Sequence, residues 1–423
     1  MSLVMRWVGG DELDRVAETR MLCYGTARSE LQRFKDGIRA DRRAKDGDFL
    51  LAERDGRPVG TATSLPLSMY LRGAAFSCQG VAYVGAIRTE RRKNTSHHPH
   101  PAPAHPEAPR PPGVATAVMR ETLRLARERG QVLSALMPFR ASFYEHFGYG
   151  VIERRQEWTL PLSILPVGDF DGLRFMEPGD RPAIVECQQR MAQRGQCDIL
   201  RDADSWLLYF TEFDNGFVIV DRPDPKGPVQ GWLYLQSQTV NNRHIARVID
   251  IAYDNTAALL RQLHFLASLR DQYSTAILTF PADLPLNLLS RESQVPHRPV
   301  SHPTGEIRAY TRMQLRVLDH RRLINNMPMP PQCRGSAVIA IQESEGTVSR
   351  FRLEVADGRA SATPTDASAD VECPDRTWAA IVTGDLPALT AAQLGLLRLT
   401  HGRAISVLEA FGTGPLPFCH DYF

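Results

Sequence analysis

Residues 94–112 read NTSHHPHPAPAHPEAPRPP, seven prolines and four histidines in nineteen positions. Proline at that density removes backbone donors and fixes φ, so neither a helix interior nor a sheet ladder passes through this stretch. It is expected to be an exposed polyproline-like or disordered loop. Its flanks are ordered in opposite ways. Upstream, Cys78–Ile87 reads as a strand, with Val81, Tyr83 and Ala86 set among small residues. Downstream, Gly113–Arg129 reads as a helix: Ala115, Val118, Met119, Thr122, Leu125 and Ala126 share a face, Arg127 and Arg129 sit in the last turn, and Gly130 is a stop. Closing the insertion costs on the order of 2–3 kcal/mol of entropy, which a folded domain tolerates.

The rest of the N-terminal third alternates in the same manner. Asp11–Tyr24 is a helix, with Asp11 at its start and Leu13, Val16, Ala17 and Met21 on one face. Asp48–Arg54 and Pro58–Ser64 are strands joined by Asp55-Gly56, a hairpin signal. Val132–Met137 is a strand, and Ala141–Phe147 a short helix closed by Gly148-Tyr149-Gly150. A middle region, about 161–310, has helices at Asp180–Gln193 and Ala257–Leu269 and strands at Gly216–Asp221, Val229–Gln236 and Ile245–Ile251. Three strands followed by a helix echo the first third without evident identity, as a diverged duplication would. Tyr310–Val317 reads as one strand. After the joint Met327-Pro328-Met329-Pro330-Pro331 come strands Ser336–Gln342 and Ser349–Ala356, then helices Thr390–Leu399 and Ala404–Ala410, an α+β module.

At roughly 150 residues per domain, 423 residues imply two or three domains. Fifty basic against 48 acidic residues leave a net charge of +2, too little to draw in nucleic acid or an anionic membrane. No apolar run approaches the roughly 18 residues of a membrane helix, and Met1–Trp7 lacks a signal-peptide pattern. The seven cysteines (Cys23, Cys78, Cys187, Cys197, Cys333, Cys373, Cys419) are odd in number and never in a CxxC pair. That argues against a disulfide framework or zinc site and for a reducing, cytosolic setting. His97, His98, His100 and His105 could ligate a metal, but the prolines between them oppose a compact tetrahedral set.

Arg91-Arg92-Lys93 precede the helix opening Gly113-Val114-Ala115-Thr116. Free N–H groups and the positive dipole end at a helix start suit a phosphate or pyrophosphate, and Gly113 lets a ligand approach the backbone. A solvated basic turn is the plainer reading of the same residues. No GxSxG elbow, P-loop, HExxH or GxGxxG occurs.

Strand, basic-Gly loop, long helix, strand and short Tyr-bearing helix is the order of the GNAT N-acetyltransferases. The whole chain resembles one branch of them, the enhanced intracellular survival (Eis) acetyltransferases. The resemblance is carried by Gly80-Val81-Ala82-Tyr83-Val84-Gly85-Ala86 with the basic triplet and Gly113. Phe143-Tyr144-Glu145-His146-Phe147-Gly148-Tyr149-Gly150, Asp357-Gly358-Arg359-Ala360 with Thr363-Pro364-Thr365-Asp366-Ala367, and the final Phe423 add to it. It implies mixed α/β and α+β architecture: a GNAT domain over 1–160, a second GNAT-like domain over 161–308, and a sterol-carrier-like domain over 309–423. It implies acetyl-CoA as co-substrate, with Val84, Gly85 and Ala86 touching it by backbone groups. Arg92, Lys93, Gly113, Val114, Ala115 and Thr116 would hold its pyrophosphate, and Phe139 and Arg140 would lie along its arm. Tyr144 would be the general acid and the terminal carboxylate of Phe423 the general base; His146 is assigned to packing or solvent. The resemblance also implies a homohexamer and a large acidic acceptor cavity, which Glu30, Asp36 and Asp41 could line, although plain surface charge is the commoner explanation of those three. Two departures stand out: residues 94–112 part Lys93 from Gly113, and Arg88 replaces the family's Pro after the cofactor strand. A non-catalytic binding or scaffold protein, its cofactor loop disrupted by the insertion, is the alternative.

Overall fold

A computed structural model describes residues 3–91, 113–291 and 304–423. Three sheets organise them. The first is built from β1 (Leu3–Val8), β2 (Phe49–Arg54), β3 (Arg57–Leu71), β4 (Ala74–Ala86), β5 (Leu133–Leu136) and β6 (Gly150–Val151). The second is built from β7 (Arg155–Pro161), β8 (Leu173–Phe175), β9 (Phe217–Asp221), β10 (Gly231–Val240), β11 (Arg243–Tyr253), β12 (Thr275–Pro281) and β13 (Glu306–Tyr310). Then β14 (Gln314–Val317) returns to the first sheet, whose order is β1-β2-β3-β4-β5-β14-β6. The second sheet, read from its other end, is β8-β9-β10-β11-β12-β7-β13.

The two orders are the same. In each, the fourth and fifth strands pair in parallel, Cys78 against Leu133 and Ile245 against Thr275, while the others are antiparallel. A long helix precedes each fifth strand, α3 (Val114–Glu128) in the first unit and Thr256–Ser268 in the second. The duplication read faintly in the sequence is therefore present as topology. Each sheet also lends a strand to the other: β7 lies beside β12, and β14 lies between β5 and β6. The expected divisions after 160 and after 308 fall inside β7 and β13, both strands of the second sheet.

Hairpin chemistry sets the first unit. Asp55 and Gly56 adopt φ of +52° and +75°, and Arg72 and Gly73 of +51° and +83°, the left-handed pairs that two-residue hairpins require. β3 and β4 run well beyond Pro58–Ser64 and Cys78–Ile87 because the end of β3 finds new backbone partners. Tyr70 N donates to Asp198 O and Cys197 N to Tyr70 O, at 2.8 and 2.7 Å. Two readings are corrected. Tyr310–Val317 is two strands in different sheets, with Thr311-Arg312-Met313 crossing between them. Thr390–Leu399 is a helix only to Gln393; Gly395 turns the chain at φ +71°, and Arg398–Leu399 pairs with Val371–Glu372.

The third sheet spans Gly335 to Leu399, with helices His320–Asn326, Asp375–Val382 and Arg403–Glu409 packed against its strands. One apolar core joins it to the first sheet, running from Leu65, Leu67 and Met69 through Ile339 and Trp378 to Cys419 and Phe423. The C-terminal tail is thus part of that core. Among the described residues no helix is long and apolar enough to cross a membrane.

Candidate active site

β4 pairs with β5 only over Cys78–Val81; beyond Val81 the two strands part. At the same place β4 bulges: Thr63 faces Ala82 and Thr61 faces Gly85, so two residues, Tyr83 and Val84, oppose Ala62 alone. Tyr83 takes φ +52°. The result is an open cleft edged by Val84, Gly85 and Ala86. Helix α1 (Leu13–Tyr24) closes one side of it, and the Tyr24 hydroxyl donates to the Val84 carbonyl. α1 sits so close that a Cβ at Gly85 would stand 2.9 Å from Cys23 Cβ. Burial lifts the Cys23 thiol to about 12, so it stays protonated.

Gly113 is the N-cap of α3, with no side chain capping it, and it is exposed. Among the described residues the first backbone bond of this helix is Ala117 N to Gly113 O, and the amides of Val114, Ala115 and Thr116 have no partner there, as an anion site at a helix start requires. Arg91 lies nearby, donating to Ala86 O at 3.2 Å and to Cys23 O at 3.0 Å. Arg92, Lys93 and the insertion with His97, His98, His100 and His105 lie outside the described residues. The parted strands and the open helix start are the two features a CoA arm and pyrophosphate need, so the residues present fit that co-substrate.

α4 (Ala141–Glu145) carries Tyr144 into the cleft mouth, where only 5% of it is exposed. Phe139 and Phe143 pack on its ring, at 5.8 and 5.0 Å between centroids. Burial raises its phenol to about 12. Its neighbours are engaged: Tyr149 is held by Ser134 Oγ at 2.6 Å, and Tyr24 by Val84. The Tyr144 hydroxyl makes no hydrogen bond to another described residue. His146 is exposed, with Nδ1 2.7 Å from Ser142 O. Phe139 is largely exposed at the cleft, and Arg140 caps α4.

The tail reaches the same place from the opposite end of the chain. A cavity of about 750 Å³ is lined by Val84, Phe139, Tyr144 and Phe423 together. The Phe423 ring lies against β4 at Gly80, where a Cβ would be 3.1 Å from its Cδ2. A buried polar network fixes it there. Arg201 Nε donates to Asp421 at 3.0 Å and its Nη2 to Asp250 at 2.8 Å. His420 bonds Asp198 through Nδ1 at 2.8 Å and through its amide at 2.9 Å. Arg155 Nη1 donates to Cys419 O at 2.8 Å, and Arg312 to Asp421 O at 2.9 Å.

The expected acidic lining is corrected. Asp41 alone of the three candidates faces the cavity, and Arg43 grips it with Nε and Nη2, each at 2.8 Å. Glu30 instead binds the Thr26 and Ala27 amides, and Asp36 accepts from Gln32.

The comparisons with known proteins agree with this geometry. A GNAT acetyltransferase domain model matches residues 5–152, and a sterol carrier protein domain model matches 321–420. An uncharacterized N-acetyltransferase of Streptomyces avermitilis is 24% identical, over 87% of this chain and 87% of its own. The N-acetyltransferase Eis of Mycobacterium bovis is 26% identical over 88% of both chains. Residues 5–152 carry the signature of a GNAT acetyltransferase domain, and over most of its length the chain is similar to the Eis N-acetyltransferases. A solved GCN5-related N-acetyltransferase from Anabaena variabilis, 17% identical, superposes over the full length of both chains with a TM-score of 0.81, which establishes the fold. The Eis-like fold here is accordingly two GNAT-like units followed by a sterol-carrier-like unit.

Sequence reasoning missed Arg20 and Tyr24 at this site, and Arg201, Asp198 and Asp250 behind the tail. A signal existed for the first two. They follow Val16 at one-turn spacing on α1; Arg20 is buried with that stripe, and Tyr24, part-exposed, reaches the cavity. Nothing local marks the others, which meet the tail only through the fold.

Proposed function

We propose that this Eis-like enzyme transfers acetyl from acetyl-CoA to a primary amine, on an aminoglycoside-like polyamine or a lysine side chain, by direct attack without a covalent intermediate. Tyr144 serves as general acid and the α-carboxylate of Phe423 as general base. The observation that carries this reading is the meeting of Tyr144 and Phe423 on one cavity beside the parted strands.

The chemistry follows from those groups. Attack forms the C–N bond and breaks the C–S bond. The amine must shed a proton, and a carboxylate at Phe423 would accept it, directly or through a water. A phenol held near 12 keeps its proton until charge develops on sulfur, then donates to it. Backbone amides of the bulged strand would stabilise the oxyanion. The products are amide and free CoA thiol, with protons balanced. The free, mostly buried cysteines fit the cytoplasm, and the resemblance implies a homohexamer.

The test is calorimetric titration of intact, untagged protein with acetyl-CoA, followed by thiol release with a panel of amines. One-to-one binding and turnover are expected. Absent binding overturns the reading, and restoration on deleting 94–112 would assign the failure to the insertion. Residues appended after Phe423 should abolish turnover; unchanged turnover removes its carboxylate from the mechanism.

A further inference from the structure

Four arginines line the cavity, Arg20, Arg33, Arg43 and Arg312, against one side-chain carboxylate, Asp41. Two of the cations are answered. Arg43 is paired with Asp41, and Arg33, largely exposed, reaches Glu30 at 3.0 Å. Arg20 and Arg312 have no carboxylate partner among the described residues, and no ion pair joins either of them to Phe423.

Arg20 is the more telling. It is 4% exposed, and its guanidinium carbon sits 3.8 Å from the Tyr83 ring centre and 5.5 Å from that of Phe49. Only Nη2 finds an acceptor, Thr63 Oγ1 at 2.5 Å; Nε is buried with none among the described residues. Arg312 uses Nη2 on the Cys419 and Asp421 carbonyls and likewise leaves a buried Nε idle. Burial pulls the Arg20 pKa down to about 10, as it does for a cation whose nearest charges are too distant to compensate. A buried guanidinium with no paired carboxylate is costly, and a carboxylate meeting it from the cavity would supply the missing partner charge. A polycation would meet like charge at the same wall.

We propose that the acceptor is an amine that itself carries a carboxylate, received by Arg20, with Arg312 lining the same cavity. The inference rests on the acetyl-transfer reading and narrows it, favouring lysine-type amines with a nearby carboxylate over polycationic aminoglycosides. Tyr83 and Phe49 hold Arg20 in place, so the recognition is built before the ligand arrives.

The experiment compares three acceptors on the full-length protein: Nα-acetyl-lysine, its methylamide, and a polycationic aminoglycoside. The carboxylate form should exceed the methylamide in kcat/KM by roughly tenfold or more, the scale of one charge-assisted hydrogen bond. That ratio should collapse toward one in Arg20→Gln and be partly kept in Arg20→Lys, with melting temperatures reporting that both fold. Equal rates for the two lysine forms in the unaltered protein, or preference for the polycation, overturn the inference and leave acetyl transfer standing. Absent turnover with every amine overturns the underlying reading instead. Calorimetry with the CoA-saturated protein then decides the inference: binding of Nα-acetyl-lysine but not its methylamide supports it, and binding of neither overturns it.

Discussion

Arg201 is the residue whose loss should be felt furthest from its own position. Its side chain is enclosed, and it serves Asp421, Asp250 and, through its face, the Tyr209 ring 4.2 Å away. Arg201→Leu keeps the apolar stem and removes the charge. Asp250 would retain the Tyr209 hydroxyl at 2.6 Å, but Asp421 would lose its only side-chain donor among the described residues. Breaking a buried pair in this way costs about 3–5 kcal/mol, since a buried carboxylate is left stranded. The tail's apolar anchors, the rings of Phe418 and Phe423, are worth about 2–3 kcal/mol each. The loss is therefore comparable to the whole apolar hold on the tail, and relief comes from local detachment. The opening equilibrium should rise about 10²- to 10⁴-fold. Hydrogen exchange reads it at the amides of Phe418, Cys419 and His420, bonded to Gln196 O, Glu153 and Asp198. Ile339 and Phe351 in the third sheet are controls that should not move. Asp421→Asn in the same background removes the stranded charge and should recover part of the protection. Unchanged exchange at the three tail amides would refute the idea that this network holds Phe423 in the cavity.

Tyr144→Phe should lower kcat by about 10²-fold or more while leaving acetyl-CoA affinity nearly unchanged in calorimetry; equal kcat would exclude the phenol as acid. Gly85→Val places a Cβ 2.9 Å from Cys23 Cβ and 3.0 Å from its Sγ, so α1 must shift. A destabilisation of about 1–3 kcal/mol and weaker acetyl-CoA binding are expected, from melting curves and calorimetry. The tail should also loosen with pH. Burial alone would lower the His420 pKa, but Asp198 outweighs it and the value stands above 6.5. Asp198, despite burial, is held below 3.8 by His420. The pair's contribution is thus full between about 3.8 and 6.5; it fades as pH rises through the raised His420 value, and on the acid side as pH falls through that of Asp198. Tail exchange measured across pH should follow that profile, and His420→Gln should flatten its alkaline limb.

Much of the site was legible because its parts announce themselves locally. The strand ending at Ala86, the glycine-led helix and the Tyr-bearing turn are each encoded within their own short stretch, and propensity and turn chemistry place them; the bulge at Tyr83 is not encoded that way. What escaped was set by distance in the chain. Arg312 and Met313 bend the backbone between two sheets, yet Tyr310–Val317 alternates like one strand, because alternation reports burial and says nothing about which sheet does the burying. Gly395 inside an apolar helical stretch was the local clue that Thr390–Leu399 could not be one helix. The cavity's charge was not legible for a related reason. Asp41 was visible, but Arg43, two residues on, neutralises it, and the cations that remain come from positions 20 and 312.

The reciprocal loan of β7 and β14 has a consequence for how such a chain is made and inherited. On the ribosome, β5 and β6 emerge with an empty slot between them. It stays empty until every strand of the second sheet has been synthesised, because Gln314–Val317 is the last of the first two sheets' strands to appear. The two units therefore mature as a pair, with the slow, long-range closure that such pairing entails. For the same reason, a gene crossover between relatives anywhere from 152 to 313 would separate a slot from the strand shaped to fill it. The exchanged strands bind the two units into one heritable block, to which the segment beyond 317 is tied in turn by the shared apolar core and by the tail's contact with Arg201.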